Sequence, residues 1–258
     1  WEWHEKIFKH AKSRGLICFS SPFDETAVDF LEKLNCPMYK IASFEMTDLP
    51  LIKKVAQTKK TMIISTGMSS LDEIDETFKV AKKNGAKEII LLYCVSNYPA
   101  KNKDFNLNNI QILKNKFNCK VGLSDHSLDN TIAISSIAAG AEIVEKHIGL
   151  DGQKNGLDIK FSLKGKKIKV FKKLISETYN SMGKNFFYRN PSEEKSKIFR
   201  RSIFAVKDIK IGEKFTKKNI RRIRPGYGLE PKLFDKILGK KSKNNINAGD
   251  PLKKKHIK

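Results

Sequence analysis

The sequence predicts an α/β protein: a (β/α)8 barrel without its first two βα units, followed by a small β-rich domain. Short β-rich segments alternate with amphipathic helical segments over residues 1–183, the pattern of βα units in a parallel sheet. After residue 198 the pattern changes to short strand-like segments separated by turns. The first strand runs into Ser20-Ser21-Pro22-Phe23-Asp24. The absence of a Gly-rich phosphate loop there favours a barrel over an open doubly wound sheet.

Six segments of the first part are predicted strands, because each is short, rich in β-formers and followed by polar residues. They cover 16–21, 38–43, 61–65, 88–95, 120–124 and 142–147. The helical segments lie near 2–14, 24–35, 48–58, 71–84, 106–117, 129–139 and 165–183. Six parallel strands are two fewer than a (β/α)8 barrel needs. The chain also opens on Trp1 in a helical segment, so we expect two βα units to be missing before it.

Domain boundaries follow from these changes of pattern. We expect a barrel domain over 1–183, a linker over 184–198 and a β-rich domain over 199–258. The linker contains Asn190-Pro191-Ser192 followed by a charged stretch. The last domain has turn signals at 224–228 and 247–251.

Composition narrows the class of protein. The chain has 258 residues, 40% of them hydrophobic, which suffices for a folded core. No apolar run is long enough for a membrane span, and no secretory leader pattern opens the chain. The four cysteines are widely spaced. We therefore expect a cytoplasmic protein with reduced thiols and no membrane partner.

Charge raises a second hypothesis. Lys and Arg number 51 against 28 Asp and Glu, a net charge of +23. Residues 185–258 hold 22 of the bases and 7 of the acids, so a nucleic-acid-binding role for 199–258 has to be weighed. That region has no recognisable reader motif and no clustered aromatic residues for base stacking. We interpret the lysines as solvated surface residues and predict no nucleic-acid partner.

The predicted strands end on chemically functional residues. In a barrel the active site lies where strands end and loops begin. In strand order, the residues at these ends are Ser21; Lys40, Ser43 and Glu45; Ser65-Thr66-Gly67-Met68; Ser96-Asn97-Tyr98-Pro99; Ser124-Asp125-His126; and Glu145-Lys146-His147. Six such ends in succession indicate an active site.

These residue types suggest a reaction class. Hydroxyls together with Lys40 suit a phosphate or a carboxylate. His126 and His147 occupy equivalent places on neighbouring strands and suit a divalent metal, although paired structural histidines are the alternative. Glu45 and Asp158 could act as general acid or base, while Asp158 alone could be a solvated loop residue. A Schiff-base aldolase using Lys40 or Lys146 is a rival mechanism.

The motifs resemble those of the sialic acid synthase family, whose members condense phosphoenolpyruvate with an amino sugar. The matching segments are 1–5, 19–32, 39–45, 65–68, 122–126, 145–147 and 224–228. The Ala42-Ser43-Phe44-Glu45 and Ser20–Asp24 runs favour the pseudaminic branch. The resemblance therefore implies a 2,4-diacetamido-2,4,6-trideoxyhexose of altrose type as the sugar. An N-acetylneuraminate or legionaminate synthase is the alternative.

The resemblance also implies an architecture and residue roles. It implies a C-terminal antifreeze-like (SAF) domain after the barrel and a homodimer in which each SAF domain caps the partner's barrel. Arg224 would reach the sugar from that cap, Tyr98 would lie near the sugar, and Glu45 and Asp158 would be acid/base or sugar-positioning carboxylates. His126 and His147 would hold Mn²⁺ or Mg²⁺. The implied phosphoenolpyruvate contacts are Lys40, Ser43, Ser21, Ser65, Ser96 and Ser124.

Four departures from the family pattern border the predicted site. Ser96 stands where sialic acid synthases commonly have Asn, and Gly156-Leu157-Asp158 replaces Gly-Pro-Asp. Ile159-Lys160 replaces Ser-Ala. A Glu and a Lys that the family carries on its first two strands are absent. The exact sugar, the metal and the activity of this chain alone are left open by the sequence.

Overall fold

The computed structural model describes residues 1–184 and 186–258, which form two compact units, Trp1–Gly183 and Lys184–Lys258. The first unit is built on a five-stranded parallel sheet, curled like half a barrel, in the order β1-β2-β3-β4-β5. Its strands are β1 (Met38–Ile41), β2 (Thr61–Ser65), β3 (Glu88–Cys94), β4 (Lys120–Asp125) and β5 (Val144–Lys146). Two short strands, β6 (Ile148–Gly149) and β7 (Leu163–Lys164), pair parallel beside it.

Two helices precede β1, and from β1 onward a helix follows each strand of the five-stranded sheet, as expected of βα units. They are α1 (His4–Ser13), α2 (Glu25–Lys33), α3 (Leu49–Gln57), α4 (Leu71–Lys83), α5 (Asn109–Phe117), α6 (Thr131–Ala138) and α7 (Lys167–Met182). The ends of α4 are well specified: Ser70 and Glu73 form a reciprocal capping box at its start, and Lys82 and Lys83 lie in its last turn. In the described ranges, no helix has the length and apolar character needed to cross a membrane.

The core lies between the sheet and its helices. Successive strand residues point to opposite faces, so Tyr39 and Ile41 are fully buried in the core cluster that includes Leu51 and Val55 of α3. The residue between them, Lys40, points to the other face of β1. On that face Lys40 pairs in register with Ile63, which belongs to a second apolar cluster with Ile90 and Leu92.

The predicted strand over 16–21 is wrong as a strand. It makes a single parallel bridge, Ser20 with Tyr39, through the hydrogen bond from the Lys40 backbone N–H to the Ser20 carbonyl. Leu16 and Ile17 are 66% and 71% exposed. The β-rich pattern is present, but within the described residues the segment lies at the edge of the sheet, where only one neighbour is available.

Gly122, in the middle of β4, is predicted to be required for packing. A Cβ added there would lie 2.4 Å from the Ile143 carbonyl oxygen and 2.8 Å from Leu92 Cδ2. Gly122→Ala should lower the free energy of unfolding by about 1–3 kcal/mol, the usual cost of overpacking. Urea unfolding measures this, with the exposed Lys83→Ala as a control expected to stay within about 0.5 kcal/mol. A fully stable Gly122→Ala chain would contradict this packing.

The second unit has its own small core. Antiparallel strands β8 (Ser202–Ala205) and β9 (Ile220–Ile223) and the short helix α8 (Phe234–Ile237) enclose Ile203, Phe215 and Leu252. Residues Pro191–Phe199, mostly within the predicted linker, form a 3-10 helix. Asn185, also in that linker, lies outside the described residues.

Candidate active site

A cleft of about 510 Å³ lies at the carboxyl edge of the parallel sheet. Because all five strands run in one direction, the residues at their ends converge there. We call it the strand-end cleft. It is lined by Ser21, Lys40, Ala42, Ser43, Ser65, Tyr98, Ser124, His126, Glu145, Lys146, His147 and Asp158.

Lys40 brings a buried cation to the cleft from β1. It is 8% exposed, and its Nζ donates a hydrogen bond to the Ile41 carbonyl at 3.0 Å. Glu145 Oε2 lies 3.6 Å from the same Nζ. Burial lowers the pKa of the Lys40 ammonium, and the negative charge of Glu145 opposes that shift.

Three buried serine hydroxyls line the same cleft. Ser43 and Ser65 are 8% and 2% exposed, and the Gly67 backbone N–H donates to Ser43 Oγ at 3.1 Å. Ser65 Oγ is buried and has no hydrogen-bond partner among the residues that the structure describes. Ser124 donates to Glu145 Oε1 at 2.6 Å. A buried hydroxyl without a partner is costly, so Ser65 is positioned to bond a ligand.

Ser96 lies against this wall but does not line the cleft. A Cβ on Gly67 would be 2.0 Å from Ser96 Oγ and 2.8 Å from Ser43 Oγ, so only glycine at 67 allows both hydroxyls to approach. Ser96 Oγ also lies 3.7 Å from Cys94 Sγ. The residue at this position therefore shapes the wall from behind.

The two histidines face one another across the ends of β4 and β5, with ring centroids 5.3 Å apart. His126 Nδ1 lies 3.2 Å from the Val95 carbonyl oxygen. Since a carbonyl can only accept, Nδ1 carries the proton and Nε2 keeps a free lone pair. His147 Nδ1 lies 3.3 Å from Asp158 Oδ2, which orients its ring in the same way.

The surroundings of His126 favour its neutral imidazole. Burial is the main cause that lowers the pKa of His126; the Val95 carbonyl opposes it, and the neighbouring His147 adds to the lowering. The neutral imidazole is the ligand form. Two Nε2 atoms with anchored Nδ1 groups fit a divalent ion that keeps open coordination positions. Across residues 1–184 and 186–258, no cluster of three or more His, Cys, Asp or Glu side chains could hold a metal.

Nine of the twelve predicted site residues line the strand-end cleft. The nine are Ser21, Lys40, Ser43, Ser65, Tyr98, Ser124, His126, His147 and Asp158. Ser96 lies behind the wall. Glu45 is outside the lining, on a 3-10 turn after β1, and its Oε2 is buried without a partner in the described part of the chain. Arg224 is exposed in the second unit, after β9.

Sequence reasoning gave no functional role to two residues of this site. Glu145 bonds Ser124 and approaches Lys40, and its place beside them depends on the β4–β5 register. Phe161 is 3% exposed and packs against both histidine rings, with centroid distances of 5.9 Å to His126 and 5.1 Å to His147. The strand-end motif Glu145-Lys146-His147 was the available signal for Glu145; nothing local distinguished Phe161.

The departures on either side of Asp158 have separate structural effects. Ile159 is buried, and its Cδ1 would lie 2.4 Å from a Cβ on Gly149. Lys160 is exposed, and Leu157 is 99% exposed. Ile159 therefore packs the loop that carries Asp158 onto β6, while Leu157 and Lys160 face solvent.

A curled parallel sheet with a lysine, serine hydroxyls and paired histidines at its carboxyl edge is typical of an α/β enzyme. The sequence model of the NeuB family matches residues 1–186, and that of the SAF domain matches residues 200–258. The chain belongs to the NeuB family.

Relatives with known names narrow the comparison. The chain is 38% identical over 253 residues to the pseudaminic acid synthase of Campylobacter jejuni, covering 98% of this chain and 74% of that protein. It is also 38% identical over 253 residues to the N,N'-diacetyllegionaminic acid synthase of the same organism, covering 97% and 76%. Among solved structures, the spore coat polysaccharide biosynthesis protein SpsE of Bacillus subtilis aligns with a TM-score of 0.67 and 28% identity, covering 100% and 77%.

Proposed function

We propose that this chain is a transferase that condenses phosphoenolpyruvate with a 2,4-diacetamido-2,4,6-trideoxyhexose of altrose type and water, giving pseudaminic acid and phosphate. The strand-end cleft carries the proposal, because it combines the Lys40 cation and the unpartnered Ser65 hydroxyl with two histidines that present free Nε2 atoms. Membership of the NeuB family and the similarity to pseudaminic acid synthases support it. The four cysteines are free, which supports a cytoplasmic reaction.

Lys40 and the serines are proposed to bind phosphoenolpyruvate. The Lys40 ammonium forms charge-assisted hydrogen bonds to the phosphate or the carboxylate. Ser21, Ser43, Ser65 and Ser124 donate from the surrounding wall, and Ser96 supports it. Holding the dianion in one orientation aims its methylene carbon at the sugar.

The reaction makes one C–C bond and one C–O bond, the latter to water, and breaks the C–O bond to phosphate. The methylene carbon of phosphoenolpyruvate attacks the open-chain aldehyde carbon of the sugar, and water adds to the resulting cationic carbon. The tetrahedral product expels phosphate. A divalent ion, Mn²⁺ or Mg²⁺, supplies Lewis acidity at a carbonyl oxygen when it is bound. His126 and His147 would hold it, with their rings fixed by Val95 and Asp158.

The remaining groups are proposed to handle protons and the sugar. Asp158, which lines the cleft, would accept the proton of the adding water, and Glu45 would act as an acid/base or sugar-positioning carboxylate. Tyr98, 46% exposed beside His126, offers a ring and a hydroxyl to the sugar. We further propose a homodimer in which Arg224 contacts the sugar from the partner's SAF domain. Sedimentation of the full chain tests the dimer.

The decisive assay follows phosphate release. We expect release to require phosphoenolpyruvate and the amino sugar together. With ¹⁸O in the C–O–P bridge, C–O cleavage places the label in phosphate. Label that stays in the organic product would contradict the proposed bond cleavage. A Schiff-base aldolase would instead be trapped by borohydride with pyruvate.

A second candidate substrate has equal support from identity. The legionaminic acid synthase matches the chain as well as the pseudaminic acid synthase does, at 38%. Comparing kcat/KM for the altrose-type sugar with that for the stereoisomer that yields legionaminic acid decides between them, since that ratio measures specificity. We expect the altrose-type sugar to be preferred; the reverse would reassign the substrate within the same family.

We also propose that the curled sheet, extended at its edge by the segment over 16–21 that bridges β1 through Ser20, is part of a (β/α)8 barrel with two further βα units. The five parallel strands follow one another in sequence order, as around a barrel. The exposed Leu16 and Ile17 at the edge of the sheet would be covered by such units. The DNA sequence upstream of the Trp1 codon tests this proposal.

The lowered pKa of Lys40 predicts a pH dependence of phosphoenolpyruvate binding. The Lys40 side chain is positively charged below its pKa and loses that charge as the pH rises through the pKa. Since burial lowers that pKa from the lysine value, KM for phosphoenolpyruvate should rise with pH before the ordinary value of about 10.4 is reached. Lys60→Met, away from the cleft, should show the same profile as the wild type. A KM that stays constant up to the ordinary lysine value would contradict the prediction.

A further inference from the structure

A buried ion pair joins the two strands that carry the histidines. Lys146 Nζ lies 2.7 Å from Asp125 Oδ2, and the two side chains are 4% and 0% exposed. Asp125 directly precedes His126, and Lys146 directly precedes His147. The two ion-pair residues are also direct partners in the β4–β5 register.

Strand alternation sets this ion pair apart from the neighbouring Ser124–Glu145 hydrogen bond, although Lys146 is itself among the residues that line the cleft. Ser124 and Glu145 are the preceding register partners and bond each other in the cleft. Because successive side chains point to opposite faces, the Asp125–Lys146 contact is directed away from the Ser124–Glu145 bond. The buried ion pair therefore joins β4 to β5 directly beside the two histidines.

The pair also fixes the backbone on both sides of His126. Asp125 Oδ1 accepts a hydrogen bond from the Ser127 N–H at 2.8 Å, and Lys146 Nζ donates to the Ser127 carbonyl. Lys146 thus contacts both Asp125 and Ser127, the residues before and after His126, and its own backbone leads directly into His147.

We propose that Asp125 and Lys146 are positioning residues that set the separation of the His126 and His147 Nε2 atoms and thereby the affinity for a divalent ion. The inference rests on the metal site of the proposed function. A buried ion pair is weak evidence for stability, because desolvation offsets the attraction. Groups that orient metal-binding histidines typically change metal affinity by about 10- to 100-fold.

The test is a titration of the full chain with Mn²⁺ alone, followed by the electron paramagnetic resonance signal of free Mn²⁺. We compare Asp125→Asn, Lys146→Met and the double variant, and measure the stability of each by urea unfolding. Each single variant should weaken Mn²⁺ binding by about 10- to 100-fold and lower stability, since it leaves one buried charge unpaired. The double variant should regain stability but not affinity, because no charge is left alone while the link to Ser127 is still lost.

The control pair is Lys114 and Glu142, 2.7 Å apart and 28% and 42% exposed. Lys114→Met with Glu142→Gln should bind Mn²⁺ like the wild type. A double Asp125/Lys146 variant that regains both stability and Mn²⁺ affinity would overturn the inference. Failure of all three variants to fold would also overturn it, because either result assigns the pair to stability alone.

A wild-type chain that does not bind Mn²⁺ would overturn the metal site and the inference together. If the wild type binds Mn²⁺ and the variants bind it equally well, the inference is overturned while the metal site stands. Because no substrate is present, the titration is independent of the phosphate-release assay of the proposed reaction.

Discussion

Replacing His126 with alanine is expected to lower kcat/KM for the condensation by about 10²- to 10³-fold, the usual loss when one electrostatic stabiliser of a transition state is removed. His126 Nδ1 is anchored on Val95, so its free Nε2 is the group that the substitution deletes. Tyr98 and Phe161 pack against the ring and would retain the shape of the cleft. Initial rates of phosphate release measure the effect.

The matched control is His10→Ala, which removes an exposed histidine from α1. It should leave the rates unchanged. Treatment of the wild-type chain with a chelator should reproduce the loss caused by His126→Ala, and added Mn²⁺ or Mg²⁺ should restore activity to the wild type only. Full activity after chelation would contradict a metal role for this histidine.

Replacing Lys40 with methionine is expected to lower kcat/KM by about 10- to 100-fold, mainly through KM for phosphoenolpyruvate. Hydrogen bonds to charged groups contribute about 1.5–3 kcal/mol, and the variant loses those of the ammonium. Glu145, 3.6 Å from Nζ, would then face the bound anion without its cation. Steady-state kinetics with varied phosphoenolpyruvate concentration measure the change.

Lys60→Met is the matched control for Lys40→Met. Lys60 is also paired with a glutamate, Glu32, but it precedes β2 at the opposite end of the sheet. The Lys60→Met substitution should leave KM for phosphoenolpyruvate unchanged. Equal effects of the two substitutions would show that loss of a lysine ion pair disturbs the fold, and would contradict a binding role for Lys40.

Much of the site could be predicted from the sequence because strand ends are local features. A β-rich run followed by a polar residue marks where a strand stops, and parallel strands bring their ends to one edge. That reasoning places Lys40, Ser65, Ser124 and both histidines in one cleft. It does not decide the place of Glu45, which shares a 3-10 turn with Ser43 but lies outside the cleft lining, although its negative charge acts on Lys40.

Pairing between strands could not be predicted in the same way. The register that sets Ser124 beside Glu145, and Asp125 beside Lys146, depends on residues about 20 positions apart. Phe161 reaches the histidines through a loop whose path depends on tertiary contacts. The segment over 16–21 also could not be predicted from its pattern, which is that of a strand. How many of its residues pair depends on the strands beside it in the sheet.

The sequence by itself determined the order of strands and helices, the residues at the strand ends and the family resemblance, because these depend on neighbouring residues and on periodicity. Tertiary structure alone decided that Glu145 accepts the Ser124 hydroxyl and which nitrogen of each histidine is free. It also decided that Asp125 and Lys146 pair beside those histidines. Those outcomes depend on register, burial and desolvation, which arise only when distant segments of the chain pack together.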